Sequence, residues 1–370
     1  MSERPFLPLA RPRVGEAEAT ALARVLASRH LAMGPETTAL EGEVGDLLDG
    51  VEVAAVSSGG TALLCALATL DLSPGDEVVV PAFTFPAAAQ AAAWLGLTPV
   101  AADVDPDTMA VTPATIAAAC GPRTRVVVVV HPFGMGAPVD AIRGEVGSLP
   151  LIEDAACALG GMTASGRAIG TVGDLGCFSL HPRKLATAGE GGLVTGRPER
   201  MARVRRLRDY GRTGSGPDDA FGEVGLNFRL SDLAAAVARV QVAALPESLA
   251  RREALAGAYR RRLDDVPGVR VQGRARESAG RVWQSLVVRL DRDAAPVRTA
   301  LAAAGVGAGI AAHALTRQTF FRKGQPDAPA CPVAEELART TLALPLFDEM
   351  VDADVAHVVD ALGRVMRGAG

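Results

Sequence analysis

The chain has 370 residues, 49% of them hydrophobic and 22% charged, with a formal net charge of −4. That length suits one large domain and a smaller companion, and charges of both signs without a basic stripe argue against a nucleic-acid partner. The N-terminal stretch MSERPFLPLARPRVGE has no apolar run behind its basic residues, and runs such as 126–130 fall far short of the roughly 20 residues a membrane span requires, so a soluble, cytoplasmic protein is expected.

Short Val- and Ile-rich runs alternate with Ala- and Leu-rich stretches over the first two-thirds of the chain. The spacing predicts strands over 51–56, 77–81, 99–104, 125–131, 150–154, 175–180 and 192–195. Helices are expected between the earlier ones, over 61–70, 87–95, 113–119 and 139–146. Strands separated by helices predict an α/β fold, a three-layer sandwich whose mainly parallel central sheet is covered on both faces. After 231 a helix is expected to 245, Pro246 breaks it, and a second helix covers 247–263. Strands at 269–271, 283–290 and 306–310, a helix around 295–304 and a last helix over 352–365 read as a smaller C-terminal α+β domain. The expected division is 1–245 for the large domain with its N-terminal arm and 246–370 for the small one.

Five cysteines, at 65, 120, 157, 177 and 331, are odd in number and widely spaced, without a C-x-x-C pair. Neither a disulfide framework nor a metal site is expected. The basic residues are more informative. Of 38 Lys and Arg residues only two, Lys184 and Lys323, are lysine. Either residue serves as a solvated charge, but only a primary amine condenses with an aldehyde. Lys323 lies in the polar turn FFRKGQPD and reads as surface. Lys184 lies in CFSLHPRKLATAGEGG, between an apolar strand and a run of glycines, which is the setting of a reactive amine.

In open parallel sheets ligands sit beyond the carboxyl ends of the strands, and several candidates fall there. Ser57-Ser58-Gly59-Gly60-Thr61 follows the first strand and opens a helix, so its amides can meet a phosphate, although a tight strand–helix turn uses the same letters. It is neither a Walker loop nor a dinucleotide fingerprint. Asp154 ends the strand 150–154, where a carboxylate can keep a pyridine nitrogen protonated or cap a helix. Phe85, in the turn PAFTFP, can stack on a ring or simply pack. Ser179 can donate to a phosphate, and His181 is open between structural and substrate-facing roles.

Together these blocks resemble the DegT/StrS-type sugar aminotransferases, members of the aspartate-aminotransferase (fold type I) group of enzymes that use pyridoxal 5′-phosphate. The resemblance runs through SRHLAMGP (28–35), SSGGTALLCAL (57–67), GDEVVVPAFTFPAAAQA (75–91), IEDAACALGG (152–161), CFSLHPRKLATAGEGGLVT (177–195), LRDYG (207–211) and VGLNFRLSDLAAAV (224–237). It implies that Lys184 joins the cofactor's aldehyde, that Asp154 faces the pyridine nitrogen and that Phe85 stacks on the ring. Gly60, Thr61 and Ser179 match the phosphate cradle, with Gly59 beside it. Asn227 matches the asparagine that reaches the phosphate in the neighbouring subunit, which implies a homodimer. By the same resemblance the substrates are an amino donor, L-glutamate, and the keto group, at C4 or C3, of a nucleotide-linked keto-deoxysugar.

The chain also departs from the family pattern. Cys157 stands where a glutamine usually contacts the cofactor ring, Leu159 and Thr316 replace histidines, and Gly59 replaces a polar residue. A thiol cannot reproduce an amide's donors and acceptor. A cyclitol or other cyclic ketone is therefore the alternative acceptor. A lyase using Cys157 as nucleophile, the dehydrating branch of the family (which lacks the lysine) and a non-catalytic binding module are weaker alternatives.

Overall fold

A computed structural model describes residues 5–214, 220–274, 280–325 and 328–368. The first four residues of the N-terminal stretch, and 326–327 in the polar turn after Lys323, lie outside the described residues. In chain order the strands are β1 (Glu52–Val56), β2 (Glu77–Pro81), β3 (Phe83–Thr84), β4 (Thr98–Ala102), β5 (Thr124–Val130), β6 (Leu151–Asp154), β7 (Leu175–Ser179), β8 (Gly192–Gly196), β9 (Val269–Val271), β10 (Leu286–Leu290), β11 (His313–Ala314) and β12 (Thr341–Leu344).

Seven of them form one sheet in the order β1-β8-β7-β6-β5-β2-β4. The pairs β2–β4, β2–β5, β5–β6 and β6–β7 are parallel, and β8 alone runs antiparallel to both its neighbours. The mainly parallel sandwich expected from the sequence is thus what the chain forms. Its central strands are apolar on both faces, Val126 to Val129 being fully buried, because helices cover each side. The helix Ala87–Trp94 buries Ala88, Ala89, Ala91 and Ala92 in that core. Such small side chains let its backbone approach the strands closely.

A second, three-stranded sheet has the order β12-β10-β9. The helices Leu245–Leu263, Ala294–Ala303 and Asp352–Met366 share with it a separate core around Tyr259, Leu286 and Leu362. Between these parts the chain returns to the large sheet. β11 pairs with β3, setting His313 opposite Thr84, and the helix Pro332–Thr340 buries Ala334 and Leu337 beside Phe83 and Val127. Asp103 receives the first amides of that helix, from Val333 at 3.0 Å and Ala334 at 2.8 Å.

Some elements differ from the expectation. The strand expected over 306–310 is absent: Val306 bridges Leu7 and Gly309 bridges Ala343, each singly. Glycines at 305, 307 and 309 weaken strand formation and leave room for the N-terminal arm, whose Leu7 and Leu9 lie against Gly307. The strand expected from 283 begins only at Leu286. The break at Pro246 is a bend of 56° between Asp232–Ala243 and Leu245–Leu263. Helices Glu16–Ser28 and Pro35–Leu47 carried no expectation. Among the described residues no single helix is long and apolar enough to cross a membrane.

Candidate active site

Strand order reverses around β5 and β2, and a cleft opens beyond the carboxyl ends of the strands, as the topology requires. Its volume is about 380 Å³, and Gly59, Gly60, Phe85, Asp154, Cys157, Ser179 and Lys184 all line it. Residues 125 positions apart in the sequence (59 to 184) therefore meet in one site.

Lys184 is held by a turn that closes on itself. After β7 the Arg183 amide donates to His181 Nδ1 (3.2 Å) and the Lys184 amide to the His181 carbonyl (2.8 Å). The Leu180 carbonyl receives both the Thr187 hydroxyl, at 3.0 Å, and the Ala188 amide, at 2.9 Å. Leu185 and Ala186 are buried behind the lysine. Lys184 Nζ points toward Cys157 Sγ, 3.2 Å away. A primary amine in a cleft open to ligands is of the chemical type that condenses with a carbonyl.

Asp154 and Glu153 end β6 with opposite surroundings. Asp154 is buried at the floor of the cleft, and its Oδ1 accepts the Ala156 amide at 3.1 Å. Burial pushes its carboxyl up, against the opposing pull of that amide and of the Lys184 and His131 charges. Glu153 is also buried, which alone would raise it, yet it is held below the ordinary carboxylate value by His131 and by backbone amides. His131 Nε2 lies 2.9 Å from Glu153 Oε2, and the Gly170, Val172 and Gly173 amides donate at 3.0, 2.7 and 2.6 Å. The Ala137 amide donates to His131 Nδ1, so in the neutral ring the proton sits on Nε2 and faces Glu153.

Across the cleft, Ser58 caps the helix Gly59–Ala68. A Cβ at Gly59 would lie 2.8 Å from Ser179 Cβ and 3.1 Å from its Oγ, so only glycine lets the helix start beside that hydroxyl. A Cβ at Gly192 of β8 would collide with the Ser58 carbonyl. First-turn amides have no acceptor within their own helix; Thr61's goes to Ser58 Oγ at 3.1 Å, and those of Gly59 and Gly60 open on the cleft beside Ser179. Phe85 is 70% exposed despite being aromatic, with His313 at 6.3 Å between ring centroids. Phe133, on the cleft wall, holds a left-handed φ of 59°, an uncommon backbone for a bulky residue.

Two candidates lie apart. Thr61 does not line the cleft; its hydroxyl receives the Ser58 amide (2.9 Å) and donates to the Ser58 carbonyl (2.8 Å), completing the helix cap. Asn227 is exposed, bridged to Asp209 and outside this cleft. The cleft also includes residues that the sequence did not single out: His131, Arg183, Glu190, Gln284 and Ser285. His131 at a parallel strand's carboxyl end was a usable signal; neutral Gln284, 101 residues from its partner Arg183, offered none.

The model of the DegT/DnrJ/EryC1/StrS aminotransferase family matches residues 12–363. The chain belongs to that family. Its members are pyridoxal phosphate-dependent aminotransferases, and this chain is accordingly a transferase of amino groups that uses that cofactor. Solved structures agree. An aminotransferase TlmJ from Streptoalloteichus hindustanus is 32% identical, with 99% of this chain and 100% of that one covered at a TM-score of 0.93. DesV of S. venezuelae, solved with a ketimine intermediate, is also 32% identical, with 98% and 99% covered at 0.89. A 3-amino-5-hydroxybenzoic acid synthase is 30% identical, with 99% and 100% covered at 0.90. The fold alone does not choose the acceptor.

Proposed function

We propose that this aminotransferase moves an amino group from L-glutamate to the keto group of a nucleotide-linked keto-deoxysugar, at C4 or C3. The observation that carries the reading is the single cleft shared by the Lys184 amine, the buried Asp154 carboxylate and the Gly59–Ser179 contact. These residues fit the cofactor in three respects. The first-turn amides of the helix Gly59–Ala68 and the Ser179 hydroxyl form a cradle for a phosphate, one that a Cβ at Gly59 would fill. Asp154, raised by burial and with a single amide donor of its own, has capacity for a cationic ring nitrogen. Phe85 offers a free aromatic face beside them.

Bound pyridoxal phosphate supplies an aldehyde carbon that condenses with amines and a protonated ring that draws electrons from the attached carbon. Asp154 holds the proton on the ring nitrogen. Lys184 Nζ would move the proton from the amino donor's Cα to the cofactor's aldehyde carbon in the first half of the cycle, and from there to the acceptor carbon in the second. Water supplies the oxygen with which the donor leaves as a keto acid, and water is released when the acceptor's ketone becomes an amine, so the two halves balance. Cys157, 3.2 Å from Lys184 Nζ, borders the path of that proton.

The surface around Asn227 supports a homodimer in which that residue serves the neighbouring site. Val224 is 91% exposed, and Leu226, Phe221 and Tyr210 are also exposed, an apolar patch of the kind that partners cover. The test is complementation: mixing Lys184→Ala with Asn227→Ala chains should restore activity in heterodimers, and no recovery would argue for self-contained sites. We also propose two domains, 1–245 and 246–370, on the strength of the separate core around Tyr259, and a cytoplasmic location, which unpaired cysteines suit.

A cyclitol or other cyclic ketone is the second reading, favoured by Cys157 and by the 30% identical 3-amino-5-hydroxybenzoic acid synthase. Enzyme carrying the amine form of the cofactor, offered a panel of nucleotide ketosugars and cyclitol ketones, decides between them. Turnover confined to the cyclitols would overturn the first.

A further inference from the structure

We infer that Gln284 is a positioning residue that fixes the reactive lysine from the other side of the cleft. Its side chain is buried at 7% exposure, and its Nε2 donates to the Arg183 carbonyl at 2.7 Å, one peptide from Lys184. Its Oε1 receives the Ser285 hydroxyl at 3.0 Å, so which end of the amide faces Arg183 is fixed by the network. The Gln284 backbone is fixed in turn. Arg252, from the helix Leu245–Leu263, donates to the Gln284 carbonyl at 3.2 Å and pairs with Asp348 at 2.8 Å. Both ends of that ion pair are nearly buried, directly behind Lys184 and Leu185. The buried pair, the strand entry at 284 and the lysine turn therefore form one continuous strut.

The turn has its own hydrogen bonds, which shape it. None of them ties it to the three-stranded sheet, where Gln284 and Ser285 lead into β10. Gln284 does, so its amide sets where the lysine stands relative to whatever binds between the two sheets. An acceptor-only side chain cannot do this, because a carboxylate would repel the Arg183 carbonyl.

The inference rests on the role proposed for Lys184. The test compares holoenzymes of wild type, Gln284→Met, which keeps the volume and loses the donor, and Gln284→Asn, which keeps the amide but stops short. Both should lower kcat by about 10- to 100-fold, the cost of a misplacement near 1 Å, with KM for the amino donor within about threefold. The visible circular dichroism of the bound cofactor should change in both, and hydrogen exchange of the 180–189 backbone should quicken even in apoprotein. Wild-type kcat, dichroism and exchange in either folded variant would overturn the strut. Lys184→Ala run alongside separates the two ideas: activity retained there sinks the role of the lysine, whereas unchanged Gln284 variants beside a dead Lys184→Ala sink only the strut.

Discussion

Glu153 and Asp154 are consecutive residues on one strand, both buried, and their environments are opposites. Glu153 receives three backbone amides and a histidine ring, and stays charged at low cost. Asp154 receives one amide, faces the cleft and is pushed toward its neutral form. Alternation along a strand sends one side chain into a finished network and the next into an unfinished one. A buried polar group with spare capacity is costly to a fold, and that deficit is what a cationic ligand group can fill. The difference separates a carboxylate that is satisfied within the fold from the one proposed to meet the cofactor.

The comparison can be broken most sharply at the amine. Lys184→Ala should cost roughly 10²- to 10⁴-fold in turnover, the span of general acid–base contributions, and should abolish the visible band of lysine-bound cofactor. It also removes a cation facing Asp154, so the carboxyl should titrate higher still in the apoprotein, which carbon-detected NMR can follow. Next comes Asp154→Asn. We expect a turnover loss of about 10²-fold or more, with apoprotein as stable as wild type or more so. The sign follows from the raised value. Folded Asp154 keeps its proton to higher pH than the unfolded chain, so its contribution is present in acid and lost as pH rises through the folded value. The stability advantage of Asp154→Asn apoprotein should therefore grow as pH rises above the ordinary aspartate value of about 3.9, read by thermal melts.

Glu153→Gln should do the reverse. It sets an amide donor among donors, costing about 1–3 kcal/mol of stability, while leaving turnover per folded molecule less affected than Asp154→Asn does. Folded Glu153 titrates below its unfolded value, so its contribution is full above about pH 4.3 and fades on acidification through the lowered value. Denaturant melts at two pH values would show the gap to wild type narrowing in acid; a gap independent of pH would undo the contrast. The smallest effect is expected at Cys157→Gln, which offers an amide near Lys184. Only a few-fold change in acceptor KM is expected, in line with one neutral hydrogen bond, and steady-state kinetics on the preferred ketone would measure it.

Chemistry made part of this site legible. Lys184 stood out because the chain uses arginine at every other basic position but Lys323, and Asp154 because it closes an apolar strand. The sheet was legible because its strands are buried on both faces and read as unbroken apolar runs. The Glu153–His131 pair was not, since His131 ends one predicted strand, Glu153 stands one residue before the end of another, and only the parallel register of β5 and β6 brings them together. Thr61 was expected in the cradle, but local capping claims its hydroxyl, a competition between neighbours that a motif does not display. The N-terminal helices were missed because the stripe they bury is slight; Glu16–Ser28 buries little beyond Ala21 and Val25 against Ala236.

Gly192 carries no chemistry and sits on β8, the strand of the large sheet that runs antiparallel to both its neighbours. Because any side chain there would drive into the Ser58 carbonyl, the first turn of the helix Gly59–Ala68 can keep its place only while residue 192 stays bare. Variation in this lineage is thus constrained from behind: a side chain at a silent position in β8 would displace the helix turn proposed to hold the phosphate, without touching the cleft itself. Selection for catalysis would then read as selection on a residue that never meets a substrate.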